Sequence, residues 1–225
     1  FPLPQNSAVD DMTMKIGQRT IKGVIKKKEE AKKIYEDAKR QGKTAALLDQ
    51  ERPNIFTQSV ANIMPGESII IEISYVETLS YTDGVYEFVF PMVVGPRYIP
   101  GDQATGHSGT GWSPDTNKVP DASKITPPVA PKGTRAGHDI SVTVNLNAGL
   151  PIKSIKSVLH QVNIDKAKNG EKAKITLSNN DTIPNKDFIL QYETAGKGIE
   201  EALLTTAKDG AGYFTFILQP PDKPA

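Results

Sequence analysis

The chain is 225 residues long, with 27 Lys and Arg against 26 Asp and Glu, 24% charged residues and no cysteine. Zero cysteine removes disulfide frameworks, thiol catalysis, zinc knuckles and iron–sulfur sites, and a net charge of +1 argues against a strongly electropositive nucleic-acid binder. A chain of this length can bury roughly 70% of the surface its unfolded form exposes, and no apolar run reaches the length of a membrane span. It opens at Phe1-Pro2-Leu3-Pro4 with no initiator Met and no charged stretch ahead of an apolar one, so no signal peptide is visible and both ends read as cuts within a longer protein.

Met12, Met14 and Ile16 alternate with polar residues, Gly17-Gln18 interrupts them, and the pattern resumes over 20–25, which predicts a β-hairpin. Over about 27–41 the period changes: Ala31, Ile34, Tyr35 and Ala38 fall on one stripe of an amphipathic helix. Glu29 with Lys33 and Glu36 with Arg40 have i, i+4 spacing, and Gly42 suits a left-handed helix end. Docking of the stripe would make Ile34→Asp disruptive.

Period two returns over 56–63 and 68–75, where Ile69, Ile71, Ile73 and Tyr75 share a face, with Met64-Pro65-Gly66-Glu67 as the turn. A third strand over 85–94 follows Thr82-Asp83-Gly84, and the three read as a meander whose apolar face needs a second layer. From 95 to 137, prolines and glycines recur too often for a regular element, so the segment reads as a functional loop, a strap or a linker between lobes. Strands resume over 139–146, 152–161, 172–177, 187–192, 202–206 and 213–218, with hairpin turns at Asn169-Gly170 and Asp209-Gly210. The fold class is therefore mainly β, an antiparallel sandwich with one inserted helix and a long Pro/Gly-rich loop. The divisions are a β core with the helix over 1–100, the loop over 101–137, a second β portion packed with it over 138–219, and a linker over 220–225.

Chemistry-bearing patterns are sparse. His107, His138 and His160 lie too far apart in sequence to form a local metal motif, and adjacent acids such as Glu29-Glu30 or Glu200-Glu201 point apart, so no metal, cofactor or catalytic residue is expected. Gly106-His107-Ser108-Gly109-Thr110-Gly111 lacks the Lys of a phosphate cradle and reads as a flexible loop tip. Lys26, Lys27, Lys28, Lys32, Lys33, Lys39, Arg40 and Lys43 form a basic face interspersed with acids, which reads either as a salt-laced solvent face or as a polyanion- or glycan-binding surface. Trp112 in the loop and Arg97-Tyr98 at its entrance are either interface anchors or side chains that tether the loop. Arg97, Tyr98, Trp112, Lys32 and Arg40 are the candidate partner contacts.

Several segments carry a family resemblance: Phe1 to Val9, Tyr35-Glu36-Asp37-Ala38, Gly42 to Leu48, Glu51-Arg52-Pro53-Asn54-Ile55-Phe56-Thr57, Val60 to Glu67, and Phe88-Val89-Phe90-Pro91. Together they resemble the vault protein inter-alpha-trypsin (VIT) domain across about residues 1–100. Pro96 to Gly101, Val119-Pro120-Asp121-Ala122 and Asp187-Phe188 look like the bacterial branch of that family, which includes sortase-target surface proteins. The resemblance implies a β-sandwich with an inserted helix, followed by a von Willebrand factor A-like domain as the adjacent partner. It also implies an envelope or extracellular location, an extracellular protein or glycan as a further partner, and no nucleic acid. The Asp-x-Ser-x-Ser metal motif of that neighbouring domain is not in this chain, since Asp121-Ala122-Ser123-Lys124-Ile125 puts Ile in its last place. Family members carry strands ahead of the Phe-Pro-Leu-Pro segment, so an unpaired sheet edge is expected here.

Overall fold

A computed structural model describes residues 1–95, 98–106, 108–135, 137–194 and 199–219; the expected linker over 220–225 lies outside them. The chain divides into two compact units, Phe1–Thr78 with Val93–Pro131, and Leu79–Met92 with Lys132–Ala225.

The first unit holds β1 (Ala8–Ile16), β2 (Arg19–Lys22), α1 (Lys28–Arg40), β3 (Ala45–Arg52), β4 (Ile55–Ala61), β5 (Ile69–Val76) and a one-turn α2 (Ala122–Ile125). The β1–β2 hairpin forms as its alternation predicts, turning at Gly17 with φ +55°. β1 is the central strand of the order β2-β1-β5, and its antiparallel register sets Met12 opposite Ile73, Met14 opposite Ile71 and Ile16 opposite Ile69. Cross-strand partners share a face, so methionines and isoleucines pool on one side, where Met14 and Ile16 are buried.

The predicted meander does not form. The turn at Met64–Glu67 is present, closed by the Glu67 N–H on the Met64 carbonyl at 3.0 Å, with Gly66 at φ +81°. Yet β4 pairs with β3, a strand the sequence reading passed over, while β5 pairs with β1 and the third predicted strand lies in the second unit. Period-two alternation fixes which side chains share a face but does not choose the neighbouring strand.

The Phe1-Pro2-Leu3 segment lies along β4. The Leu3 N–H donates to the Asn54 carbonyl at 3.1 Å, the Phe56 N–H donates to the Phe1 carbonyl at 2.9 Å, and the Phe1 and Phe56 rings stack 5.9 Å apart. Leu3, Ile55, Phe56 and Ala61 are buried with this arrangement.

The helix starts at Lys28 and ends where glycine predicted. The Lys43 N–H reaches the Ala38 carbonyl at 3.0 Å and the Gly42 N–H the Lys39 carbonyl at 3.1 Å, with Gly42 at φ +70°, the double closure of a Schellman end. Asn62, itself at φ +56° just beyond β4, donates its carboxamide to the Lys39 and Lys43 carbonyls at 2.9 Å each. One side chain from the β3–β4 hairpin thus satisfies two carbonyls at the end of the helix.

The second unit contains β6 (Ser80–Thr82), β7 (Val85–Phe90), β8 (Thr143–Asn147), β9 (Ser154–Ser157), β10 (Val162–Lys166), β11 (Lys172–Leu177), β12 (Phe188–Glu193), β13 (Glu200–Lys208) and β14 (Ala211–Gln219). Its two larger sheets run β10-β11-β8 and β6-β7-β12-β9, antiparallel throughout. Ala173, Ile175 and Leu177 of one sheet join Phe188, Leu190 and Tyr192 of the other in a single buried cluster, which makes this pair a sandwich. Tyr81, Tyr86 and Tyr192 are register partners across β6, β7 and β12; the Tyr81 ring is tilted against Tyr86 at 4.6 Å and the Tyr86 ring stacks on Tyr192 at 4.9 Å. Burial, with the neighbouring Tyr86 adding to it, pushes the Tyr192 hydroxyl up to about 12. The Asp83-Gly84 and Asp209-Gly210 turns place both residues at positive φ, as tight two-residue hairpins demand. Of the single strand expected over 152–161 only β9 forms, followed by a break at Val158–His160, and β10 beyond it was not among the expected strands.

Phe188 has no solvent exposure; Phe188→Ala is expected to cost about 3–5 kcal/mol in urea unfolding, through lost transfer free energy and the cavity left behind. Asn62→Ala removes two hydrogen bonds and a residue type suited to its left-handed backbone, so a loss of about 1–2 kcal/mol is expected in the same assay.

Candidate interaction surface

The basic helix face is held from below. The Asp49 carboxylate on β3 is buried, and it receives the Lys28 ammonium at 3.0 Å and the Lys32 ammonium at 3.2 Å. Lys28 also reaches the Glu51 carboxylate at 3.1 Å and donates to the Gln50 carbonyl at 3.3 Å. Burial alone would raise the Asp49 carboxyl, but the hydrogen bonds and charges of Lys28 and Lys32 outweigh it and hold the group below its ordinary value. Lys28 is raised for the reciprocal reason, its own desolvation being outweighed by the two carboxylates.

This overturns the docked apolar stripe. Ile34 is 52% exposed and no residue of α1 is buried; Ala31, Tyr35 and Ala38 are only half-buried. What ties the helix to β3 instead includes Lys28 and Lys32, whose ammonium groups meet Asp49 and Glu51 on that strand. Along the exposed face, the pairs that form are Lys26 with Glu30, Lys39 with Glu36 and Arg40 with Asp37, in place of the two predicted ones.

The long loop is organised around a second carboxylate. Asp115, buried at 6% exposure, accepts the Ser108 N–H at 2.9 Å and hydroxyl at 2.7 Å on one oxygen and the Ser123 N–H at 2.8 Å on the other. Hydrogen bonding from Ser108, then from Ser123, holds this carboxyl well below the usual carboxylate range. Ser123 in turn accepts the Gly109 N–H at 2.7 Å, the Gly111 N–H reaches the Ser123 carbonyl at 2.7 Å, and the Trp112 N–H reaches the Thr126 carbonyl at 2.8 Å.

The glycines expected to mark a flexible tip have the opposite function. A Cβ on Gly109 would sit 2.4 Å from the Ser123 carbonyl oxygen, and one on Gly111 would sit 2.3 Å from that of Thr126. Both are glycine because another stretch of backbone lies against them. The loop therefore packs on itself and on α2, the short helix that the sequence reading did not expect, and Arg52 on β3 pairs with Asp121 at 2.6 Å.

The predicted contact residues take distinct places. Lys32 and Arg40 lie on α1, paired with Asp49 and Asp37. Trp112 is 50% exposed on the ordered loop and Tyr98 is 91% exposed at its entrance; Arg97 lies outside the described residues. Asp49, Asn62 and Asp115 were given no role from sequence, and Ser108 and Ser123 entered only as part of a glycine-rich tip and a failed metal motif, although Asp49, directly following the apolar run Ala45-Ala46-Leu47-Leu48, could have been flagged as an acid within a strand.

Of the three histidines, His107 lies outside the described residues, His138 is exposed, and the ring of His160 is buried with Nδ1 3.0 Å from an Asp181 oxygen and its plane tilted against Phe188. Burial would raise the Asp181 carboxyl, but the Gln161 N–H, Lys186 and His160 together hold it below its ordinary value. Among the described residues, no three His, Asp or Glu side chains gather as metal ligands would, and no helix is long and apolar enough to cross a membrane.

The scaffold that positions Leu3, Phe56, Asn62 and the Met/Ile face of β1 and β5 falls within the stretch that matches the family model of the Vault protein inter-alpha-trypsin domain, residues 1–75. Residues 1–75 match the VIT domain. The chain is also similar to three proteins: the mouse Protein mono-ADP-ribosyltransferase PARP4, 41% identical over 96 residues, which are 43% of this chain and 5% of that protein; the rat Inter-alpha-trypsin inhibitor heavy chain H3, 39% identical over 87 residues, 38% of this chain and 10% of that protein; and the mouse von Willebrand factor A domain-containing protein 5A, 30% identical over 107 residues, 46% of this chain and 14% of that protein. The chain thus spans a small fraction of the length of each.

Two substitutions separate the observed helix attachment from the expected one. Ile34→Asp should leave the unfolding free energy measured in urea within about 0.5 kcal/mol of the parent, as for an exposed site. Asp49→Ala should cost about 1–2 kcal/mol, discounted because the lysine heads reach water.

A pH series adds a third test. Asp49 and Asp115 are both depressed below the ordinary 3.8, so their stabilisation is complete above that value and is lost as pH falls through the depressed folded one. Unfolding free energy followed by fluorescence should decline in acid, and Asp115→Asn should flatten part of that decline while opening the loop to limited proteolysis.

Proposed function

We propose that this chain is a non-catalytic interaction and scaffolding module of a cell-surface VIT protein, one that orients a neighbouring von Willebrand factor A-like domain for adhesion or matrix contact. The observation that carries it is how the candidate polar groups of the VIT unit are used. Asp49, Glu51, Lys28 and Lys32 neutralise one another, and Asp115 is occupied by structural donors. What remains presented is contact surface: half-exposed Trp112 and exposed Tyr98, of the residue types that anchor protein interfaces. The relatives named for von Willebrand factor A and for inter-alpha-trypsin inhibitor heavy chain H3 favour a VIT segment working beside another domain. An envelope or extracellular site of action, with attachment of the sortase-target kind, belongs to the same reading.

The test is direct binding of this chain to a purified A-type domain by calorimetry, with Trp112→Ala and Tyr98→Ala as variants. The reading expects saturable binding that either variant weakens roughly tenfold, the scale of one interface anchor. Turnover of a substrate abolished by a point substitution in this chain would overturn it.

A second reading, a polyanion- or glycan-binding module, rests on the Trp112 loop more than on the helix, because Lys28 and Lys32 are already paired with buried acids. Binding to a heparin column that falls with salt and with Trp112→Ala would favour this second reading.

A further inference from the structure

The β13–β14 hairpin forms a sheet of its own, and its two faces differ. Register sets Ala202 opposite Ile217 and Leu204 opposite Thr215 on one face, and Leu203 opposite Phe216, Thr205 opposite Phe214 and Glu201 opposite Leu218 on the other. The first face is docked at its base: Ala202 is buried, and a Cβ on Gly149 would lie 3.1 Å from that of Ala202 and 3.0 Å from a Leu204 methyl. On the second face Leu203, Phe214, Phe216 and Leu218 are 61%, 75%, 56% and 60% exposed. Four large apolar side chains on one ribbon face make a contiguous patch, which soluble monomers leave bare only where something covers it. A two-stranded ribbon with free edges is also marginal in water by itself.

We propose that this stripe is a self-association surface on which a second copy of the chain seats its own β13–β14 hairpin, face to face, about a two-fold axis. Three observations favour a second copy. The stripe is uncharged along its length, with Glu201 only at its end, so two copies meet without like charges opposed at the centre. A patch whose large side chains are all apolar can serve as its own complement, which is what an isologous contact requires. The area suffices: at about 200 Å² for a fully exposed large apolar residue, the four exposures give roughly 500 Å² per copy, so two copies cover about 1,000 Å², the lower bound for a biological interface. The surface lies outside the VIT match and does not depend on the function proposed above.

Sedimentation velocity and light scattering over a dilution series test the proposal on the whole chain. The expected result is a species of twice the 24.4 kDa chain mass that reverts to one chain on dilution. Phe214→Lys with Phe216→Lys should raise the dissociation constant roughly tenfold or more, with the circular dichroism and cooperative melt of the rest retained. Leu203→Glu, on the opposite strand of the same face, provides a second variant if the first does not fold. A single-chain mass at every concentration would overturn the proposal and leave the stripe for a different partner; so would a dimer that both variants leave intact.

Discussion

A carboxylate that leaves water must be surrounded by donors, and that constraint organises much of this molecule. Asp49 meets it with two lysine ammonium groups, Asp115 with two N–H groups and a hydroxyl, and Asp181 with a backbone N–H, a lysine and a histidine ring nearby. Each set of donors comes from segments distant from the acid in sequence or from a loop with little regular structure. Withdrawing an acid would strand its donors and release the segments that supply them. Helix α1 meets its sheet at one such acid, and the Pro/Gly-rich loop is gathered around another.

The same constraint bears on function. A carboxylate committed to structural hydrogen bonds is a poor general base or metal ligand, and an ammonium seated on a buried carboxylate is a poor point of attachment for a foreign polyanion. The groups that first suggest chemistry in the N-terminal unit are therefore engaged in its own architecture. Aromatic and apolar side chains left at the surface are what the molecule offers to others: Trp112 and Tyr98 in one unit, the Leu203–Phe214–Phe216–Leu218 stripe in the other. The interaction module proposed above accords with that distribution, and the VIT match over residues 1–75 agrees with it.

Local chemistry was legible in the residues wherever it depended on neighbours in sequence. The helix over Lys28–Arg40 and its glycine end, the β1–β2 hairpin, and the Asp-Gly turns at 83–84 and 209–210 stand where period and turn chemistry put them. Strand pairing was not legible: β4 and β5 are joined by a tight turn yet take different partners. The loop glycines also misled, because a glycine required by close backbone approach and one free to flex are the same letter. Ile34 shows the limit of helical periodicity, since a stripe can exist without a surface to receive it.

By itself the amino-acid sequence determined the mainly β class, the single long helix, the turn positions and the VIT resemblance, because each rests on short-range sterics, period or an ordered set of landmarks. Only the tertiary structure decided which strands are neighbours, that Asp49 and Asp115 are the internal nodes, that Asn62 closes the helix, and that one face of the β13–β14 hairpin stays bare. Those outcomes depend on contacts between segments far apart in the chain, where desolvation and donor geometry choose among pairings that the local pattern leaves equal.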